Sequence, residues 1–310
     1  MKQSDSGPVL RLSNGSSADK CVAANGFDHE ESIMRIHHLN CGCMCPLGGK
    51  LFDGFSEGLT ASLVCHCLLI ETEGHGLVLV DTGFGTCDVM EPRKRLSSFF
   101  IAFNNIRFER RYTALEQVRG LGFKPEDVRH IVLTHLDFDH AGGLEDFPEA
   151  QVHVLQREMD AARSTRSFLG HRRYRHKQWD DVRNWQFYEP GGDRWFDFQA
   201  VKELRGLPPE ILLIPLTGHT HGHTGVALQT DNGWLLHAGD AYFYRDEVGQ
   251  NERHCTPGLR LYQRMMEVDR TARLANQHRL WTLSMEHKDE VTLFCSHDAK
   301  ELERMRGQSL

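Results

Sequence analysis

Hydrophobic residues follow two periods along the chain, and each period predicts one kind of element. Short apolar or alternating runs predict strands at 33–41, 61–71, 77–80, 130–134, 151–155, 211–215, 225–230, 234–237 and 291–295. Spacings of three and four residues predict helices at 113–119, 156–163 and 259–278, and a last helix from Asp298. Two blocks of strands, each followed by helices, predict an α/β protein: an αββα sandwich of two mixed β-sheets flanked by helices.

Two segments depart from this pattern. Residues 1–32 are rich in Ser, Gly, Asn and Asp and have no apolar stretch after a basic start, so we expect a flexible N-terminal arm rather than a signal peptide. One domain, residues 33–310, would follow it. Residues 163–195 form a basic, aromatic insertion, most simply interpreted as a solvated helical segment at the surface.

Composition excludes several classes of protein. A chain of 310 residues with 40% hydrophobic residues can bury a full core. The net charge of −7 argues against a nucleic-acid binder that works by neutralising phosphates, and the longest apolar runs are too short for a membrane span. Nine cysteines, an odd number, favour reduced thiols and a cytoplasmic location.

The cysteines of CGCMCP and those at 65 and 67 alternate by two, which places each set on one face of a strand. There we expect cysteine to pack as a small hydrophobic residue rather than to build a separate soft-metal site.

Four predicted strands end in residues that can bind metals. The segments are THLDFDH at 134–140, PLTGH at 215–219, LHAGD at 236–240 and FCSH at 294–297. Strand ends that meet at one edge of a sandwich can aim their side chains at one point. Taken alone, the first segment also suits a polar loop that caps a helix. All four together predict a metal site, because imidazole and carboxylate are common ligands of zinc, iron and manganese.

The order THLDFDHAGG, GHTHGH, GD and SHD resembles the metallo-β-lactamase superfamily, most closely its N-acyl-homoserine lactonase-like branch, over residues 33–306. The resemblance implies the metallo-β-lactamase fold and two divalent metal ions per chain, with zinc expected and iron or manganese as alternatives. By the family pattern His135, Asp137 and His219 would hold one metal. Asp139, His140 and His297 would hold the other, and Asp240 would bridge them.

Asp137 departs from the family pattern, which usually has histidine at this position. If Asp137 binds as a carboxylate, the site becomes harder and favours iron or manganese relative to zinc. Alternatively Asp137 binds poorly, and the enzyme works with one metal. The sequence leaves both interpretations open.

The resemblance implies an enzyme in which a metal-bound hydroxide attacks the carbonyl of a cyclic ester. Asp240 or a metal-bound water would help to protonate the leaving alkoxide. Asp139 is, with Asp240, a candidate catalytic residue. The expected partner is a small ester or lactone, with N-acyl-homoserine lactone first, and quorum quenching is the associated role. Neither nucleic acid nor a membrane is expected as a partner, and a homodimer is one option for the assembly.

Three other functions stay open at this point. Thioester hydrolysis of the glyoxalase II kind uses a similar set of ligands. A di-iron redox protein is suggested by the carboxylate at Asp137, as in flavodiiron proteins, although no length remains for a flavin domain. The third is a metal-stabilised binding protein without catalysis.

Four residues near the predicted ligands are candidates for supporting roles: Tyr242, Tyr244, Asp81 and His223. Tyr242 and Tyr244 flank Phe243, which stands where lactonases of this branch carry a tyrosine that assists the substrate carbonyl; either neighbour would have to replace it. Asp81 either orients a ligating imidazole or only forms a turn. His223 is expected to form a hydrogen bond within its turn.

As a cap over the metal edge, the insertion at 163–195 would meet a polar head group with its arginines and an acyl chain with Trp179, Trp185 and Phe187.

Overall fold

The structure, a computed structural model, describes residues 34–200 and 204–307, so the arm predicted at 1–32 lies outside the described residues. Strands β1 to β13 of the described part are Arg35–Met44, Leu63–Thr72, Gly76–Val80, Ile106–Arg107, Val128–Val132, Gln151–Leu155, Trp185–Tyr188, Arg194–Trp195, Phe198–Gln199, Ile211–Pro215, Thr224–Thr230, Gly233–His237 and Val291–Phe294. Helices α1 to α10 are Lys50–Asp53, Thr86–Met90, Pro92–Arg95, Ser98–Phe103, Ala114–Gly120, Gln156–Ser164, Gly170–Arg173, Pro257–Met266, Arg270–Glu286 and Ala299–Arg306.

Eleven of these strands form two mixed sheets. The first sheet has the order β4-β1-β2-β3-β5-β6-β7 and the second has the order β10-β11-β12-β13. In the first, β1, β2 and β3 pair antiparallel, while β3, β5, β6 and β7 pair parallel. In the second, only β12 and β13 are parallel. The predicted αββα sandwich of mixed sheets is therefore confirmed.

The core lies in layers because side chains of a strand alternate between its two faces. Between the sheets, Leu68 and Val132 of the first sheet share one buried cluster with Leu213 and Phe294 of the second. On the outer side of the first sheet, strand residues pack with residues of α5 and α6. On the outer side of the second, they pack with residues of α9. Each sheet is thus covered on both faces, which holds its strand ends in fixed positions.

Two predicted elements differ from the structure. The single helix predicted at 259–278 is two helices, α8 and α9, because Val268 and Asp269 turn to donate their amides to the Gly218 carbonyl. Asp269 then caps α9 by accepting from the Ala272 amide at 3.0 Å. The strand predicted at 130–134 ends at Val132, so its last two residues already belong to the loop that carries the predicted ligands.

The insertion at 163–195 is less exposed and less helical than expected. It contains the short helix α7 and the strand β7, which pairs with β6 at the edge of the first sheet. Trp179 is buried in the core, with partly buried Trp185 and Phe187 packed against the same cluster. These three aromatic residues therefore serve packing, contrary to the contact with an acyl chain that the cap interpretation predicted for them.

Candidate metal centre

Seven predicted ligands come together where strands from both sheets end. Four of them lie in the loop after β5, and the others follow β10, β12 and β13. All seven are at most 4% exposed: His135, Asp137, Asp139, His140, His219, Asp240 and His297. Within the described residues, His135 shares one candidate metal group with His140 and Asp240, and another with Asp137 and His219.

Asp240 lies between the two halves of this cluster. Its Oδ2 is 3.3 Å from His219 Nε2, and its Oδ1 is 3.4 Å from His140 Nε2 and 3.1 Å from His297 Nε2. His297 Nε2 is also 3.6 Å from Asp139 Oδ2. Two ligands of one tetrahedral zinc ion, each ~2.0–2.2 Å from it, are roughly 3.3–3.6 Å apart. The spacing of the side chains around Asp240 therefore suits a bound ion.

Three imidazoles are oriented by their second ring nitrogen. His140 Nδ1 donates to Asp81 at 2.8 Å, and His297 Nδ1 donates to the Val64 carbonyl at 2.7 Å. His135 Nδ1 donates to Thr134 Oγ1 at 2.9 Å, which in turn donates to Asp81. With the proton on Nδ1, each ring directs the lone pair of Nε2 into the cluster, which is the tautomer that a metal ligand needs.

Unpaired buried atoms mark the position that fits a metal ion. Within the described residues His135 Nε2, His140 Nε2 and Asp240 Oδ1 are buried and have no hydrogen-bond partner. Leaving such atoms unpaired is costly in a folded protein. Imidazole nitrogen and carboxylate oxygen are ligands of zinc, manganese and iron. The residues present therefore fit a divalent ion at this position.

An arginine that was not predicted from the sequence binds the other half of the cluster, Asp137 and His219. Arg173, at the end of α7, is 3% exposed and donates to both carboxylate oxygens of Asp137, from Nε at 2.6 Å and from Nη2 at 2.5 Å. Its Nη2 also donates to His219 Nε2 at 2.8 Å. Burial alone raises the pKa of Asp137, but the positive charge of Arg173 holds that pKa well below its usual range. Asp137 is therefore ionised.

Asp81 fulfils both roles considered for it. It has φ of +56°, so it forms the tight turn after β3. Its carboxylate accepts from the Thr134 amide at 2.8 Å and from His140 Nδ1 at 2.8 Å. Burial opposes its ionisation, but the neighbouring His140, through its electrostatic attraction and its hydrogen bond, lowers the pKa of Asp81. The negative charge of Asp81 thus makes the His140 imidazole a stronger ligand.

Glu158 of α6 joins two of the loops and was not predicted. The buried carboxyl accepts from the Leu136 amide at 3.0 Å, the Thr220 hydroxyl at 2.7 Å and the Gly222 amide at 2.9 Å. A Cβ on Gly222 would lie 2.3 Å from the Glu158 backbone nitrogen, so only glycine allows this approach. Glu158 therefore holds the loop that bears Asp137 against the turn of GHTHGH.

The two tyrosines predicted to assist catalysis have other partners. The Tyr242 hydroxyl donates to Glu301 at 3.1 Å, and the Tyr244 hydroxyl accepts from Arg245 at 3.1 Å. Among the described residues, neither hydroxyl forms a hydrogen bond with a predicted ligand. Phe243 points to the cluster instead, and its ring stacks on that of His297 at 5.2 Å. The prediction of Tyr242 and Tyr244 thus finds no support in their contacts.

A different tyrosine, Tyr262 of α8, packs at the cluster. Its ring is 5% exposed and lies between the rings of Phe103 at 6.0 Å and Phe243 at 5.6 Å. Burial first, and then the negative charges of Asp139 and Asp240, raise the pKa of Tyr262 well above its usual value. Its hydroxyl therefore keeps its proton. Sequence spacing did not reveal Tyr262, which comes from a helix about twenty residues further along.

His223 has the structural role expected for it. Its Nδ1 donates to the Leu216 carbonyl at 3.0 Å, and its Nε2 accepts from the Asp240 amide at 2.8 Å. Cys65 also lies at the edge of the cluster, with its Sγ within 4.8 Å of ligand atoms of Asp139 and His297. Its alternation with Cys67 along β2 predicted packing only.

Fold and cluster together define a metallo-hydrolase. Residues 62–297 match the family described as the Metallo-beta-lactamase superfamily, and the chain belongs to that superfamily. Within the described residues no helix has both the length and the apolar character of a membrane span.

Among curated proteins, the Probable metallo-hydrolase Rv2300c of Mycobacterium tuberculosis is 37% identical over 266 residues, which cover 86% of this chain and 80% of that protein. An N-acyl homoserine lactonase of Bacillus cereus is 28% identical over 66% of this chain and 78% of its own length. The solved structure of an N-acyl homoserine lactone hydrolase, with N-hexanoyl-L-homoserine at its catalytic metal centre, superposes with a TM-score of 0.65. The two sequences are 21% identical, and the superposition covers 96% of that chain and 88% of this one, so the likeness shows a shared fold.

Proposed function

We propose that this metallo-hydrolase opens a lactone ring, and that N-acyl-homoserine lactones are the substrates to test first. The observation that carries the proposal is the set of unpaired buried atoms on His135, His140 and Asp240, which offers a metal site at the strand ends. The lactone as substrate is supported by the similarity to the Bacillus cereus lactonase, 28% identical.

A bound divalent ion would lower the pKa of a water molecule and polarise the carbonyl under attack. The chain supplies the remaining parts of the reaction. Asp139 and Asp240 place carboxylates beside the same imidazoles, so that either can carry a proton from water towards the leaving alkoxide. Phe243 covers the rings of His219 and His297, with centroids 5.7 and 5.2 Å away, and limits the access of bulk water.

Tyr262 takes the role that the sequence suggested for Tyr242 or Tyr244. Its ring packs against that of Phe243, which covers His297, and its hydroxyl stays protonated. A phenol in that position can donate a hydrogen bond to the substrate carbonyl as negative charge develops on its oxygen.

A cleft of about 790 Å³ reaches Arg173, the hydrogen-bond partner of Asp137, and suits an acyl chain. Arg173 and Tyr174 line it, and apolar side chains come from two segments: Phe168 and Leu169 from the insertion, Met265 and Met266 from α8. Methionine side chains adapt to flexible apolar ligands. The insertion would then act as a cap, through Phe168 and Leu169 rather than through its tryptophans.

The reaction is tested with natively metallated protein and a panel of lactones, thioesters and phosphodiesters. We expect lactones to be hydrolysed fastest, and His140→Ala to remove both bound metal and hydrolysis. A clear preference for thioesters would favour the glyoxalase II type of reaction instead. Hydrolysis of none of them would contradict the proposed substrate class.

The acyl cleft is tested with two variants of one helix. Met265→Ala should lower kcat/KM for long-chain N-acyl lactones by roughly tenfold, the usual effect of lost contact in an apolar pocket, and leave a lactone without an acyl chain unaffected. Leu261→Ala is the matched control, since Leu261 lies on the same helix but is 70% exposed and lines a different groove. Equal losses of kcat/KM with both substrates would show that the acyl chain binds elsewhere.

A further inference from the structure

Arg173 binds the two residues that should hold the first metal. In the superfamily pattern Asp137 and His219 belong to that site, but here Asp137 Oδ2 and His219 Nε2 are 3.0 Å apart and both accept from Arg173 Nη2. Their distances to Nη2 are 2.5 and 2.8 Å. A guanidinium nitrogen therefore already stands where these two ligand atoms converge.

Simple geometry excludes a metal ion beside this nitrogen. An ion ~2.0–2.1 Å from both Asp137 Oδ2 and His219 Nε2, which are 3.0 Å apart, lies at most about 3.7 Å from Arg173 Nη2, even on the opposite side of the line joining them. The positive charge of Arg173 at that distance lowers the affinity of Asp137 and His219 for a second cation. The single lone pair of His219 Nε2 also cannot point both at the ion and at Nη2.

His219 differs from the other imidazoles of the cluster in a second way. The rings of His135, His140 and His297 each anchor Nδ1 through a hydrogen bond. His219 Nδ1 is buried and has no hydrogen-bond partner among the described residues. Metal-bound histidines almost always donate their second nitrogen to such a partner. His219 therefore lacks the support that the three other rings have.

Arg173 is held in place by all of its donors. Besides Asp137 and His219 Nε2, its Nη1 donates to the carbonyl of Met266 at 2.7 Å and to that of His219 at 3.3 Å. These contacts use the five N–H groups of a guanidinium. The side chain is buried and has no donor left for a substrate. Its charge balances that of Asp137, which stands where the family usually has a neutral histidine.

We propose that the Arg173 guanidinium takes the place of the first metal ion, and that the chain binds a single divalent ion. That ion is held by His135, His140 and Asp240, with Asp139 and His297 beside them. This is the second of the two interpretations that the sequence left open for Asp137, and Arg173 supplies its physical reason. The proposal depends on membership of the superfamily and not on the identity of the substrate.

Metal content is the direct test. Protein stripped of metal, loaded with excess zinc and desalted should retain about one ion per chain by elemental analysis. Loaded with manganese, it should give the electron paramagnetic resonance spectrum of isolated ions. Two tightly held ions per chain, or a spin-coupled manganese pair, would overturn the proposal.

A double variant tests whether Arg173 is the cause. Asp137→His with Arg173→Met restores the family's ligand and removes the guanidinium together, so neither charge is left buried alone. This variant should bind about two ions per chain and show the coupled manganese spectrum. Arg172→Met is the matched control: its guanidinium lies over the Phe168 ring at 3.3 Å, and this variant should keep about one ion.

The double variant also separates the two possible failures. Circular dichroism and gel filtration show whether it is folded. A folded double variant that still binds one ion would show that Arg173 does not exclude the second metal, and would overturn the proposal. Failure of the lactone assay with one bound ion would contradict the proposed substrate and leave the metal count unaffected.

Discussion

Replacing Asp81 by asparagine should weaken metal binding more than it weakens the fold. The change keeps the shape of the side chain, and asparagine tolerates the φ of +56° as well as aspartate does. Asp81 accepts three hydrogen bonds, from the Thr134 amide at 2.8 Å, the Thr134 hydroxyl at 2.7 Å and His140 Nδ1 at 2.8 Å. An amide has only one oxygen, so in Asp81→Asn its nitrogen must face at least one of these donors.

The size of the effect follows from that mismatch. One buried donor without a partner costs ~1–3 kcal/mol of folding stability. If the lost bond is that of His140, the ring is no longer fixed with its proton on Nδ1. Loss of such a supporting partner typically costs roughly 10–100-fold in metal affinity. We therefore expect Asp81→Asn to bind zinc roughly 10–100-fold more weakly, measured by competition with a chromophoric chelator.

Asp53→Asn is the control. Asp53 is also buried and accepts from the amides of Phe55, Ser56 and Ser62, none of which belongs to the metal cluster. This variant should lose a similar ~1–3 kcal/mol of stability in urea unfolding and keep its zinc affinity. If Asp81→Asn also keeps its affinity while losing stability, Asp81 serves only the turn and the account of His140 is wrong.

Three further predictions concern groups outside the ligand set. Burial, and then the charge of Asp298, raise the pKa of Glu301 to about 7. The folded state therefore holds a proton that the unfolded chain loses at about pH 4.3. The free energy of unfolding should fall by up to ~1.4 kcal/mol per pH unit between these two values. Glu301→Gln should flatten that part of the stability–pH profile from urea unfolding. Glu158→Gln replaces one carboxyl oxygen by an NH₂ group, which then faces another hydrogen-bond donor. The variant should lose ~1–3 kcal/mol of stability and bind zinc more weakly in the chelator assay. If both values are unchanged, Glu158 does not join the two loops. Tyr262→Phe should lower kcat with lactones on the order of 100-fold at unchanged metal content, whereas Tyr244→Phe should not; the reverse result would restore the prediction from the sequence.

The fold and the order of the ligands could be predicted from the sequence because both depend on local patterns of residues. Strands such as β10 and β12 bury their side chains between covered sheets, and their apolar runs stop where a ligand follows. His135, His219, Asp240 and His297 stand at those ends, so topology alone brings them to one edge.

What the sequence did not reveal depends on side-chain direction and on contacts between distant segments. Arg173 is one of several basic residues at 171–177, and only its place at the end of α7 turns it towards Asp137, 36 residues earlier. Similarly, the direction of Tyr242 is set by the buried Glu301, whose pairing no local spacing predicts. The break between α8 and α9 escaped detection because apolar spacing continues across it, although Asp269 was a visible cap.

The ligands come from both halves of the sandwich: one loop follows β5 of the first sheet, and three follow strands of the second. An ion held there would act as a cross-link between the sheets, in addition to any part in the reaction. Ligands that bind only the folded state stabilise it by mass action, by ~4 kcal/mol at a thousand times the dissociation constant. Loss of the metal would therefore remove a link between the two sheets and lower the stability of the fold together with the activity.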